Sequence, residues 1–210
     1  MKKQKTSFLI CLMCLCVLFS INLSAQETTT TRVHEGFFMR FLVGGGPGSI
    51  AFDMQGNEME FKATSALFHF QIGKEISNNL ALFADLGGLG MSNPEVSWKG
   101  STITMNEASL STVGFGAGVS YYFMPADVYI SGSVMLARAT FEYSNSSGSS
   151  EMGPGIFICA GKEWWVGKKW GLGASLFFEA AMLKDKKDSK GNQAEISSRI
   201  FGIAFSATMF

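Results

Sequence analysis

Two imidazoles, His34 and His69, are the side chains of this 210-residue sequence best suited by type to act as a general base. Such a base works when a nucleophile and the substrate both lie within hydrogen-bond reach. His34 sits in a polar run, QETTTTRVHE (26–35), and no serine stands close enough to His69 in sequence to suggest a dyad. The other groups able to carry charge or strong hydrogen bonds inside apolar, alternating stretches are Arg40, Gln71, Asp85, Glu163 and Glu179. A face that carries both signs of charge amid apolar residues reads as a paired, buried network, because an isolated charge there would be very costly. The six residues Arg40, His69, Gln71, Asp85, Glu163 and Glu179 are therefore taken as one candidate interior polar network, and no catalytic residue is assigned.

Redox and metal chemistry have little to work with. Three of the four cysteines, Cys11, Cys14 and Cys16, fall in the first 25 residues, which leaves Cys159 alone. A lone cysteine offers neither a disulfide framework nor metal-ligand spacing, and reads as a small buried hydrophobe. The run Gly44-Gly45-Gly46-Pro47-Gly48 lacks the Lys-Ser/Thr and the helix start of a phosphate-binding loop. No cofactor and no metal are expected.

What must position the polar network is a set of strands. Residues 1–25 read as a cleaved signal peptide: Lys2, Lys3 and Lys5 precede an apolar core from Phe8 to Ile21, and Leu23-Ser24-Ala25 supplies the cleavage site. That core, roughly 14 residues, is short of the ~20 a membrane-spanning helix needs. Residues 26–35 are a polar lead-in. Export removes three lysines, so 14 basic residues face 17 acidic ones and nucleic acid is not a plausible partner. With 24 glycines, 19 phenylalanines and almost no helix-start signals, the remainder predicts one all-β domain, residues 36–210.

Alternation with a period of two marks eight strands. They are expected over 37–44, 62–75, 80–91, 111–123, 128–136, 155–166, 170–183 and 196–210. In the fourth, Val113, Phe115, Ala117, Val119, Tyr121 and Phe123 alternate with Thr112, Gly114, Gly116, Gly118 and Ser120. A soluble barrel turns its apolar face inward and its charge outward. Here one face is apolar, the other small or polar, and charge gathers at strand ends and in the long connections. Short connections (77–79, 124–126, 167–169) alternate with long ones (47–61, 92–107, 141–153, 184–195), and aromatic residues cluster beside the short ones, as in transmembrane barrels. The closing strand, ISSRIFGIAFSATMF (196–210), has Phe201, Ile203, Phe205, Ala207 and Met209 on its apolar face, so strict alternation would turn Phe210 inward. A bulge or frayed end near Thr208 is expected instead, leaving Phe210 at the membrane interface.

This pattern resembles the small eight-stranded outer-membrane barrels, the group that includes OmpX and the membrane domain of OmpA. The likeness runs from Gly36 to Phe210, and the strings EGFFMR (35–40) and GKEWWV (161–166) are similar to ones in uncharacterised outer-membrane β-barrel proteins. It implies an all-β, eight-stranded antiparallel up-and-down transmembrane β-barrel behind a cleaved signal peptide, monomeric and set among the lipids of a bacterial outer membrane. The barrel-assembly machinery would be its partner during insertion. A barrel of eight strands is just wide enough for side chains to fill it, so a filled lumen with a structural or surface-interaction role is the first reading. A narrow ion-conducting path through the polar network is the alternative. Lipid A-modifying enzymes also occur on this scaffold, but neither histidine sits where outer-leaflet chemistry needs a base.

The long connections supply the remaining candidate surface. Residues 96–105 predict a hairpin turning at Lys99-Gly100, and residues 50–61 another turning at Gly56-Asn57. Val96, Trp98, Ile103 and Met105 are apolar where loops are usually polar, which suggests a contact site for an extracellular protein, joined through an unpaired strand edge.

Overall fold

A computed structural model describes residues 36–210, apart from residues 55, 78, 145 and 188–190. The leader (1–25), the lead-in (26–35) and His34 lie outside the described residues. Among the described residues eleven strands are found: β1 (Phe37–Met54), β2 (Asn57–Ser77), β3 (Leu80–Ser92), β4 (Glu95–Trp98), β5 (Ser101–Thr104), β6 (Ala108–Phe123), β7 (Val128–Tyr143), β8 (Ser146–Ser149), β9 (Gly153–Trp165), β10 (Trp170–Lys184) and β11 (Glu195–Met209). Eight of them, β1, β2, β3, β6, β7, β9, β10 and β11, pair antiparallel with their neighbours, and β11 returns to β1 to close the ring. Closure leaves the wall without a free edge, which a barrel in a membrane requires because lipid offers backbone groups no hydrogen bonds.

The remaining three strands come from stretches expected to be loops. β4 and β5 form a hairpin whose β4 pairs with the upper part of β2, and β8 folds back on β7. The barrel strands also run further than expected: β1 continues to Met54, β2 begins at Asn57 and β7 reaches Tyr143. An antiparallel neighbour offers backbone partners whatever the side chains are, so these polar stretches stay in the ladder. Met54 pairs with Asn57, which sets the tip one residue earlier than Gly56-Asn57. Gly56 has φ +83°, and its N–H donates to Asp53 Oδ1 at 2.8 Å. At the second hairpin the turn falls at Lys99 and Gly100, with φ +48° and +82°.

Parity decides what faces in. Along β6 and β7, Thr112, Ser120, Tyr122, Tyr129, Ser131 and Ser133 are buried, whereas Val113, Phe115, Val119, Tyr121, Ile130 and Val134 are exposed on the outside. In β9, whose phase the sequence left open, Phe157, Cys159 and Glu163 face in, while Ile156 and Ile158 face out. Aromatic rings gather at both ends of the interior. Phe52, Phe61 and Phe141 meet at the long-hairpin end, with ring centroids 5.4 and 5.9 Å apart. Phe38, Tyr122 and Phe210 meet at the short-turn end.

That last contact corrects the expectation for the closing strand. β11 keeps its register with β1 through Met39↔Met209 and with β10 through Trp170↔Met209, without a bulge at Thr208. The Phe210 N–H then donates to Lys169 O at 3.0 Å, and alternation carries the ring inward, 5.2 Å from Trp165, 5.5 Å from Tyr122 and 6.1 Å from Phe38. With a partner strand on each side holding the ladder to Met209, nothing releases the chain to turn the ring outward. The irregularity in the wall lies in β2 instead, between Glu75 and Ser77.

Candidate functional site

Arg40 of β1 is fully buried and stands between its cross-strand partners Gln71 and Thr208. Its Nε donates to Thr208 Oγ1 at 3.1 Å and lies 3.3 Å from Glu163 Oε1. One terminal nitrogen donates to the Tyr122 hydroxyl, and both come within 3.4 Å of Ser120 Oγ. The guanidinium plane sits 4.1 Å from the Tyr129 ring centroid. Glu163 is held in turn by the Thr208 hydroxyl at 2.6 Å and the Tyr122 hydroxyl at 3.1 Å, both donating. The ion pair is therefore saturated, as burial demands.

A second cluster lies further along the lumen. His69 of β2 places Nδ1 2.9 Å from Asp85 Oδ1 and Nε2 2.8 Å from Glu179 Oε2. The Ser133 hydroxyl donates to Asp85 Oδ2 at 2.5 Å, and the Phe157 ring stacks on the imidazole at 3.9 Å. Gln71 joins the two clusters: its Oε1 accepts from Arg40 and its Nε2 donates to Asp85 Oδ2 at 3.4 Å. The glycine opposite His69 makes the arrangement possible. A Cβ on Gly87 would fall 2.4 Å from the imidazole Nδ1, so only glycine leaves the ring its place.

All six candidate residues thus meet in one buried network. Sequence reasoning did not join Thr208, Tyr122, Ser120 and Ser133 to it; their signal was present only as inward parity. Both imidazole nitrogens are taken by carboxylates, and the Ser133 hydroxyl serves Asp85 rather than the ring, so His69 is not paired with a hydroxyl in this network. Among the described residues no cluster of histidine, cysteine and acidic groups could hold a metal ion.

The hairpin β4–β5 divides the four candidate surface residues. Trp98 and Ile103 are 47% and 64% exposed, whereas Val96 is buried and Met105 packs against the core. This corrects the expectation of four contact residues: β4 pairs Val96 with the inward Phe61, and the ladder carries Val96 in with it. The edge of β4 is likewise consumed, by β2 on one side and β5 on the other. Among the described residues β5 pairs with β4 alone, so its outer edge is open. The Lys99 ammonium lies 4.8 Å from the Trp98 ring centroid.

The exterior carries an apolar belt around the wall, with Phe41, Leu86, Phe115, Val134, Leu176 and Phe205 among its exposed residues. Lys62, Arg138 and Arg199 stand exposed at its long-hairpin rim. A closed antiparallel barrel with such a surface is a transmembrane barrel. Its backbone is similar to the crystal structure of Neisserial surface protein A, with a TM-score of 0.52 and 13% identity over 81% of this chain and 95% of that one. OprG of Pseudomonas aeruginosa (TM-score 0.46, 12% identity, 83% of this chain and 97% of that one) is also similar. So is Ail, the attachment invasion locus protein of Yersinia pestis (TM-score 0.41, 12% identity, 82% and 99%). The sequence matches no family model and no curated protein. At 13% identity the likeness to Neisserial surface protein A, together with the closed ring, establishes the fold alone, that of the small bacterial outer-membrane β-barrels.

Proposed function

We propose that this chain is a monomeric outer-membrane barrel with a closed, non-conducting lumen that works at the cell surface by presenting the β4–β5 hairpin to an extracellular protein. The observation that carries this reading is the open edge of β5 with Trp98 and Ile103 exposed on the hairpin. Backbone groups along a free edge give affinity to an added strand, and an exposed aromatic gives an anchor. Opposite Ser97 in a two-residue hairpin, Thr102 directs its N–H and C=O toward the free edge.

The lumen supports a scaffold role rather than transport or catalysis. Arg40, Glu163, His69, Asp85 and Glu179 are mutually paired, and aromatic rings gather at each end. An ion path would need that pairing to break. The lipid-modifying alternative would need a base open to the outer leaflet, whereas His69 is buried at the centre of its network.

Cells presenting the wild-type barrel, a Thr102→Pro variant and a variant lacking residues 96–105 are compared for adhesion to protein-coated surfaces. Adhesion by the wild type, lost on deletion and reduced by Thr102→Pro, supports the reading, and adhesion equal in all three removes it. In planar bilayers the purified barrel is expected to stay silent. Stable single-channel steps would favour the pore instead.

A further inference from the structure

The outer wall holds a trough that the apolar belt does not fill. Three successive outward positions of β1 carry small residues, Gly45, Pro47 and Ser49. On one flank β11 raises Arg199, Phe201 and Ile203; on the other β2 raises Lys62, Thr64 and Ala66. Register sets the levels: Ser49 pairs with both Arg199 and Lys62, and Gly45 pairs with both Ile203 and Ala66. Lower down, Val43 stands between Phe205 and Phe68 and ends the depression. The upper part of the trough, at Pro47, Ser49, Lys62, Arg199 and Phe201, is an open space of about 920 Å³ whose wall also carries Glu60, Glu95 and Phe178, the cross-strand partner of Phe201.

Its position and its chemistry change together along the barrel axis. At the level of Gly45 the flanks, Ile203 and Ala66, are apolar, as lipid chains require, and at Pro47 they are Phe201 and Thr64. One step toward the long hairpins two cations stand a strand to either side of a serine, about 10 Å apart at the backbone given two interstrand spacings. Lys62 is engaged by Glu60 at 2.8 Å, and Glu95 lies across from it on β4. Arg199 makes no ion pair among the described residues. An exposed guanidinium with free donors above an apolar trough is complementary to a phosphate carried on an acyl chain. A free phosphate would leave the trough unused, and a neutral chain would leave Arg199 unused.

We infer that this trough is a binding site for a phosphorylated, acylated lipid of the outer leaflet, its phosphate on Arg199 and Lys62 and one acyl chain against Pro47, Gly45 and Phe201. The inference rests on the outer-membrane reading above. Arg138 provides the internal control: it is exposed at the same rim but on β7, opposite Val113 and away from the trough.

The test uses the full barrel folded in neutral detergent, with native mass spectrometry reading retention of bis-phosphorylated lipid A, its dephosphorylated derivative and a zwitterionic phospholipid. Bis-phosphorylated lipid A is expected to be retained preferentially. Arg199→Gln should weaken retention about tenfold or more, the scale of one charge-assisted contact. Arg199→Lys should restore part of it, Ser49→Trp should block the trough, and Arg138→Gln should leave binding unchanged. Equal losses for Arg199→Gln and Arg138→Gln would mean diffuse attraction and overturn the site. So would wild-type retention by both Arg199→Gln and Ser49→Trp, or dephosphorylated lipid bound as tightly as the phosphorylated form. Insertion into vesicles, read as a folded, heat-modifiable species protected from protease, is scored separately. Failure of the wild type there would reject the membrane reading itself, whereas insertion without selective lipid retention would reject only the trough.

Discussion

Arg40 and Glu163 show what a single buried pair costs when broken. Each is surrounded by donors and acceptors that suit its charge and no replacement, so Arg40→Met would leave the Glu163 carboxylate buried without its cation. A loss of about 3–5 kcal/mol is expected, the usual penalty for orphaning one buried partner. Replacing both, as in Arg40→Met with Glu163→Leu, should recover part of that loss, because two apolar side chains need no counterion while Thr208, Tyr122 and Ser120 still lose their partners. Urea-dependent unfolding in lipid vesicles measures both variants. If the double variant is as unstable as the single one, the pair is not the unit of stabilisation. That Arg40 would be inside was legible at this scale, since a strand's period of two admits no drift, whereas the phase of β9, and with it Glu163, was left open. That Thr208 and Tyr122 would bridge Arg40 to Glu163 was not legible, because those contacts join four different strands.

Among the elements, the hairpin β4–β5 owes its geometry to two residues at positive φ, Lys99 and Gly100. Two such residues in a two-residue connection make the turn whose twist matches its strands. Gly100→Val puts a β-branched side chain where L-residues are strained, at a cost of about 1–2 kcal/mol. The hairpin carries little core of its own beyond Val96, so this cost should open it without melting the barrel. Trypsin cleavage at Lys99 is expected to accelerate while the electrophoretic shift of the folded barrel is kept; an unchanged cleavage rate would show that the turn does not govern the hairpin. The turn itself was readable from Lys99-Gly100. The burial of Val96 was not, for it follows from β4 docking on β2, a pairing between segments whose own alternation gives no hint of each other.

For the molecule as a whole, closure is what makes the parts work. β11 pairs with β1 along most of its length, and Phe210 then seats its ring against Phe38, Tyr122 and Trp165 at the short-turn end. Phe210→Ala should lower stability by about 2 kcal/mol, less than a fully buried phenylalanine because the ring is only half enclosed. Phe205→Ala, on the lipid face of the same strand, should cost less, since lipid chains replace the lost contacts. Equilibrium unfolding of both variants side by side decides it, and a larger loss at Phe205 would place the end of β11 differently from the ladder described above.

The amino-acid order by itself determined the strand count of the barrel, the apolar outer face and the inward face of Arg40, His69, Gln71 and Asp85, because each follows from local alternation. Only the tertiary structure decided how far the strands run past the belt, where Phe210 points and which charges meet. The reason is that ladder hydrogen bonds are made by the backbone, which continues pairing through polar residues wherever a neighbour is aligned. Register between distant strands, and with it the pairing of Arg40 with Glu163 and the trough between Arg199 and Lys62, exists only once the ring has closed.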